Sequence, residues 1–324
     1  LHYLAFGSFY GFLMGAIMNF QQTLKQSISL QGIGLHSGRP VTVSLKPASV
    51  DEGIVFVRTD MPYRVTASYQ NVVSTCLATV LGFDETSVVS TVEHLLAAFY
   101  GAGVSNAIVE VSGPELPAMD GSAIAFYQAI LKSGVEAQFK KQSYLVIRKK
   151  IQIQIGESWI FVEPFSGFKI HGSIDWDHDC IGYQEYFFEE GKTQLDLLLS
   201  ARTFGFLADE KLLRARGLAL GASLENTVIL DQQKLLNPEG LRFSNEFARH
   251  KVMDALGDFM LAGYPMRGFV RLHRAGHEIH RRLLVEIFQD PSCYEIVHGI
   301  PSYLPIQVPL NLAGSEVFVP RVSG

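Results

Sequence analysis

The sequence predicts an α+β protein made of two similar units, each layering helices against a β-sheet. Three observations carry this expectation. Short runs such as Pro40–Pro47, PVTVSLKP, alternate strictly and have the period of half-buried strands. Two longer runs, Ser87–Gly103 and Phe247–Gly263, switch to the helical period. These two runs also align with each other. Glu93–Gly103 set against Met253–Gly263 matches Leu, Phe, Ala and Gly at four places and puts His94 opposite Asp254. A duplicated unit would place a site between two pseudo-symmetric halves. At so low an identity, chance is the competing reading.

At 324 residues the chain is long enough for about two domains. With 48% hydrophobic and 18% charged residues it is globular and not disordered. A net charge of −5 without a long basic run argues against a nucleic-acid partner. The three cysteines, Cys76, Cys180 and Cys293, are far apart and form no C-x-x-C. That excludes a disulfide framework and a thiolate zinc cluster, and fits a reducing, cytoplasmic setting. Any metal must then be held by nitrogen and oxygen.

Taken in order, Leu1–Phe20 contains no Lys, Arg, Asp or Glu. It is long enough for a membrane helix but lacks the positive start of a secretory signal. The alternatives are a non-native upstream extension with Met18 as the start, a membrane anchor, or a buried or surface helix. Gln21–Leu30 alternates weakly as a strand, and Gly32–Gly38, GIGLHSG, is a glycine-rich turn without a dinucleotide-binding context. Gly53–Arg58 and Val65–Ala67 are further strands. Ser90 or Thr91 is the expected N-cap of the first helix, and glycines end it. Ala107–Val111 is a strand, Pro114–Ser122 a loop and Ser122–Lys132 a helix. Lys140–Lys150 is a charged crossing, which sets the expected division into residues 1–17 outside the fold, 18–140 and 141–324.

In the second unit Tyr144–Ile155, Trp159–Pro164 and Phe168–Trp176 read as strands, and Asp177–Gly191 as an inserted polar loop. Thr193–Ala201 is helix or strand, Leu207–Arg216 a helix and Asn226–Leu230 a strand. After the helix at Phe247–Gly263, Gly268–Leu272 and Leu283–Phe288 read as strands.

The chemistry concentrates on that helix. His250 and Asp254 stand four residues apart and share one face, with Lys251 beside them and Asp258 one turn further. A hydrolytic zinc site usually takes three protein ligands and keeps one position open. His94 is the best third ligand, because the neighbouring Glu93 can take a proton from water. The bland reading of H-x-x-x-D on a helix is a salt bridge. Two clusters compete. His273, His277 and His280 have a metal-like spacing, but Gly276 interrupts them; Asp175–Asp179 has the composition of an exposed acidic loop. Ser200–Phe206 offers Thr203, either as a cap at a strand–helix junction or as a hydroxyl aimed at an oxyanion, with aromatics to line an apolar channel.

The ordered segments GIGLHSG, STVEHLLAAFYGAG, PELPAMDGS, SARTFGF, RGLALGAS, LNPEGLRF, EFARHKVMDALGD and AGH closely resemble the UDP-3-O-acyl-N-acetylglucosamine deacetylases. These zinc amidases carry out the committed step of lipid A synthesis in Gram-negative bacteria. The resemblance runs from about Thr23 to Gln289 and leaves residues 1–17 outside, which supports Met18 as the start.

Carried over residue by residue, it implies two similar domains with the active site between them. The zinc ligands would be His94, His250 and Asp254, with iron(II) also suited to that set. Glu93 would be the general base and His277 the general acid, partnered by Asp258. Lys251 would assist at the developing charge and Thr203 would contact the oxyanion, while His273 and His280 keep no catalytic role. Phe204, Phe206, Leu207, Ala219 and Ala222 would line an acyl passage, and Arg148 with Lys149 would meet the diphosphate. Gly172 aligns where family members commonly have an aromatic for the uridine, so no residue is assigned to a uridine stack. The implied partner is UDP-3-O-acyl-N-acetylglucosamine, met by a monomer that associates peripherally with membrane. The rivals are a metal-stabilised binding protein without catalysis and a metal-dependent amidase acting on another sugar.

Overall fold

The computed structural model describes residues 19–84 and 86–299. The apolar extension read at residues 1–17 lies outside them. The architecture is mixed α+β, with helices packed against several sheets.

The first half contains β1 (Phe20–Leu24), β2 (Ile28–Ile33), β3 (Pro40–Pro47), β4 (Ile54–Arg58), β5 (Tyr63–Thr66), β6 (Val72–Ser74), β7 (Val80–Gly82) and β8 (Val88–Ser90). The helix α1 (Glu93–Ala102), β9 (Ala107–Val111), α2 (Ile124–Ser133) and β10 (Val135–Lys141) follow. Strands β2-β3-β9-β4-β5 form a five-stranded sheet and β6-β7-β8 a small antiparallel one. The alternation of β3 does what it predicts: Val41, Val43 and Leu45 are buried while Thr42 and Ser44 are only half-buried.

The second half contains β11 (Ser143–Ile147), β12 (Ile151–Ile155), β13 (Ser158–Glu163), β14 (Phe168–Trp176), β15 (Gly182–Glu189), α3 (Leu195–Leu199), β16 (Phe204–Phe206), α4 (Glu210–Ala215) and β17 (Val228–Leu230). Helix α5 (Glu246–Phe259), β18 (Met266–His273), α6 (His277–Gln289) and β19 (Tyr294–His298) complete it. Seven strands form one sheet around β18, which pairs with β13, β14 and β11.

Four expectations need correction. The proposed polar loop after Trp176 is largely strand β15, a hairpin partner of β14 from Lys169↔Glu189 to Trp176↔Gly182. Its alternation was masked because the inward positions include Gln184 as well as Phe188. The stretch Leu283–Phe288 is helical: Ile279, Leu283, Leu284 and Ile287 are buried at helical spacing along α6. The expected strand Tyr144–Ile155 is two strands, β11 and β12, parted at residues 148–150, and Tyr144–Ile147 are all buried. Neither Ser90 nor Thr91 caps α1. Ser90 is zipped into strand pairing by Ser90 N–H to Pro114 O (2.8 Å) and Leu116 N–H to Ser90 O (3.1 Å), and Val92 occupies the cap.

One apolar core runs through both halves, from Leu24 and Val43 through Leu95 and Phe99 to Leu256 and Ile287. Helices α1 and α5 are buried along most of their length at its centre. Their backbones meet at Gly257, where a Cβ would stand 2.0 Å from the carbonyl oxygen of Glu93. Only glycine permits that approach, and it brings the first turn of α1 alongside α5.

Candidate active site

The close crossing of α1 and α5 sets His94 against His250 and Asp254. The two imidazole rings lie 5.2 Å apart and nearly perpendicular. His94 Nε2 is 3.5 Å and His250 Nε2 3.3 Å from Asp254 Oδ1. All three side chains are buried. His250 Nδ1–H donates to the carbonyl of Ala201 at 3.1 Å, which fixes the tautomer and leaves the Nε2 lone pair facing the carboxylate. Burial, against the pull of Asp254, lowers His250 to a pKa of about 4 and keeps it neutral. Burial works to raise the Asp254 carboxyl, but positive charge around it, from Lys251 and the protonated His277, outweighs it and holds it well below the usual range. Lys251 Nζ donates to Asp254 Oδ2 at 3.1 Å, yet Oδ1 is buried without a hydrogen-bond partner among the described residues. A buried carboxylate oxygen with no hydrogen-bond partner among the described residues, facing two imidazole Nε2 atoms, can hold a metal ion.

Next to this group lies a hydrogen-bonded one. Asp258 Oδ2 accepts His277 Nδ1–H and His280 Nδ1–H, both at 2.8 Å, and Oδ1 accepts the Thr79 hydroxyl at 2.6 Å. Burial opposes a charge on His277, but Asp258 and Glu93 prevail and raise it to about 9. It therefore carries a proton at neutral pH. Glu93 opens α1, 3.9 Å from His277 Nε2, and its Oε2 accepts the Thr79 backbone N–H at 3.0 Å. Burial raises the Glu93 carboxyl above its ordinary value, with His277 and His94 opposing. A base and an acid thus face each other beside the donor set.

These groups open onto a cavity of about 390 Å³. Glu93, His94, Thr203, His250, Lys251, Asp254 and His277 line it, with Leu35, Leu77, Ile155, Phe204 and Ile279 supplying apolar wall. Arg202 pins the Thr203 segment to α5 through Nε–H to Glu246 Oε1 at 2.9 Å. Asp258 stands behind His277 and not at the cavity surface.

Six residues read as substrate contacts, Lys149 among them, do not line this cavity. Phe206 packs beside Trp176 and His178. Leu207 begins the exposed turn leading to α4. Ala219 and Ala222 belong to a segment that docks on the glycine-rich turn, with Leu220 N–H to His36 O and Gly221 N–H to Leu35 O, both 3.0 Å. Arg148 is ion-paired with Glu295 on β19. Gly172 faces α5, where a Cβ would lie 2.5 Å from Val252 Cγ2, so this position has no room for an aromatic ring.

The three-histidine cluster separates. His273 ends β18, bonded to Ser173 Oγ at 2.9 Å and stacked on Trp159, whereas α6 carries His277 and His280 inward. In the acidic loop, His178 spends both ring nitrogens on Asp231 O (2.7 Å) and Cys180 N–H (3.1 Å). The residue missed by sequence reasoning is Thr79. Nothing local marks it, since its two partners come from α1 and α5.

Comparison with known proteins identifies the family. A family model described as UDP-3-O-acyl N-acetylglycosamine deacetylase matches residues 21–289. The chain belongs to this family. Proteins named UDP-3-O-acyl-N-acetylglucosamine deacetylase are similar over most of its length. The one from Myxococcus xanthus is 46% identical over 280 residues, 86% of this chain and 89% of that protein. The one from Syntrophus aciditrophicus is 45% identical over 276 residues, 84% and 87% of the two chains. The one from Geobacter sp. strain M21 is 40% identical over 303 residues, 93% and 98%. This chain places a buried His–His–Asp donor set, an adjacent carboxylate and a protonated histidine in one cavity.

Proposed function

We propose that this protein is a zinc-dependent deacetylase that hydrolyses the N-acetyl group of UDP-3-O-acyl-N-acetylglucosamine, releasing acetate in the committed step of lipid A biosynthesis. The observation that best supports the reading is the unpartnered Asp254 Oδ1 facing His94 and His250. One oxygen and two imidazole nitrogens suit zinc, and also iron(II). An ion held there would supply Lewis acidity, polarising the acetamide carbonyl and acidifying water.

The chain's own groups do the rest. Glu93 takes the proton of the attacking water, a task suited to a carboxylate whose pKa burial has raised. Thr203, on the cavity wall, donates its hydroxyl to the oxyanion, and the Lys251 ammonium offsets the same developing charge. His277, held by Asp258, gives its Nε2 proton to the amine as the C–N bond breaks. Acetate and a free amine leave. Phe204 and the apolar wall formed by Leu35, Leu77, Ile155 and Ile279 would meet the acyl-bearing sugar.

The completeness of this set favours an enzyme over a metal-stabilised binding protein, which would need neither Glu93 nor His277. The three unpaired cysteines support a reducing, cytoplasmic location, where a monomer would meet its amphipathic substrate at the membrane surface. Among the described residues no helix is long and apolar enough to cross a membrane.

The test is acetate release from the purified substrate before and after chelation, with zinc added back. Glu93→Gln should lower kcat by about 10²–10⁴-fold while metal content stays unchanged. Full turnover after verified metal removal, or in Glu93→Gln, overturns the reading; turnover of a different acetylated sugar in preference would move the substrate assignment.

A further inference from the structure

Helix α6 sends two histidines to Asp258, and the mechanism above uses only His277. His280 is fully buried, and its Nδ1–H donates to the same oxygen, Asp258 Oδ2, at the same 2.8 Å. Its Nε2 is buried without a partner among the described residues, and the Phe259 ring lies 5.6 Å away. Burial keeps His280 below the ordinary histidine pKa despite Asp258, so the ring is neutral, with its proton on Nδ1. A buried apolar residue would fill this space without stranding a nitrogen. What histidine adds here is one directed N–H on the carboxylate.

We propose that His280 is a positioning residue for the deacetylation: by sharing Asp258 Oδ2 it fixes the carboxylate and limits how tightly Asp258 holds the His277 proton. This rests on the reading of His277 as the acid. A carboxylate accepting several hydrogen bonds attracts each donor less strongly than one accepting a single bond. Asp258 accepts three, from His277, His280 and Thr79. An imidazolium paired with an otherwise bare carboxylate would part reluctantly with its proton, and an acid whose pKa lies far above the working pH is a poor donor. The other charges acting on His277 are Glu93 from α1 and Asp254 from α5; His36, from the glycine-rich turn, also faces it and is lowered by burial. Of the strands under α6, β12 carries no ionisable side chain, and Glu163 on β13 is turned toward Arg271. His280 is thus the neutral donor positioned to moderate the pair.

The test uses the metal-loaded full chain with His280→Leu and His280→Asn. Two quantities are followed: the His277 titration by NMR of its ring, and the basic limb of kcat/KM for acetate release. Loss of the donor in His280→Leu should raise both by about 1 pH unit and lower kcat at neutral pH roughly tenfold. His280→Asn, whose side-chain N–H can still reach Oδ2, should move them less than half as far. A folded His280→Leu protein whose His277 titration stays put or falls overturns the proposal. A titration that moves while the kinetic limb does not leaves the hold on His277 intact and removes His277 from the acid role, so that failure belongs to the functional reading. Should the leucine variant not fold, His280→Met carries the same comparison.

Discussion

Helix α5 carries two aspartates one turn apart, and each faces two buried histidines. In composition the two groups, His94–His250–Asp254 and His277–His280–Asp258, are the same. Their chemistry is opposite. Around Asp254 the rings turn Nε2 toward the carboxylate at 3.3 and 3.5 Å, one of them fixed by a proton on its far nitrogen, and Oδ1 has no hydrogen-bond partner among the described residues. Around Asp258 the rings present Nδ1–H at 2.8 Å and Thr79 fills the remaining oxygen. The first group leaves a carboxylate oxygen available to a cation; the second has already neutralised its carboxylate with protons. Residue type alone therefore does not make a metal site. What decides is which ring nitrogen faces the carboxylate and whether the carboxylate is already satisfied.

The largest effect should come from exchanging the two aspartates' fates. Asp254→Ala should remove bound zinc and cut kcat/KM by about 10³-fold or more, because a ligand is lost. Asp258→Ala should keep the metal and cost about 10²-fold through the acid. Metal analysis beside kinetics reads this directly, and equal metal loss in both variants would erase the distinction.

A second effect concerns pH. His277 must be protonated to act, and its pKa is raised to about 9, so kcat/KM should fall tenfold per pH unit above about 9. Asp258→Asn removes the leading favourable charge, so this limb should move down, toward the ordinary histidine range. A pH profile with an unmoved basic limb would detach His277 from Asp258. The smallest effect is expected from Thr79→Val, which deletes the hydroxyl on Asp258 but leaves the backbone N–H on Glu93. A loss of about three- to tenfold in kcat, with KM little changed, is expected from one hydrogen bond. Steady-state kinetics on the valine variant would show whether Thr79 matters to the acid at all.

Much of this arrangement is local and hence readable from residues in line. The spacing of His250 and Asp254 puts both on one helix face before any packing occurs. Glu93 next to His94 marks the start of α1, and the alternation of Pro40–Pro47 fixes which side of β3 is buried. The readings failed where the local pattern was ambiguous. In LLVEIF a short apolar run could be strand or helix, and only the burial of Ile279, Leu283, Leu284 and Ile287 together shows the helical stripe. That same ambiguity hid His280, since its inward direction follows from α6 being a helix. The segment holding Ala219 and Ala222 meets the glycine-rich turn, where a Cβ on Gly221 would lie 2.3 Å from Gly34 O, a contact no local pattern announces.

By itself the sequence determined the α+β class, the principal donors and the family resemblance, because period, helical spacing and ordered motifs are properties of neighbours along the chain. Only the tertiary structure decided how the donors are used. Thr79 reaches Asp258 across 179 residues, the Ala201 carbonyl selects the His250 tautomer, and Gly257 lets two helix backbones meet. Each depends on groups distant in sequence arriving within hydrogen-bond or van der Waals range. That arrival settles which histidines can face a metal and which can only hold a proton.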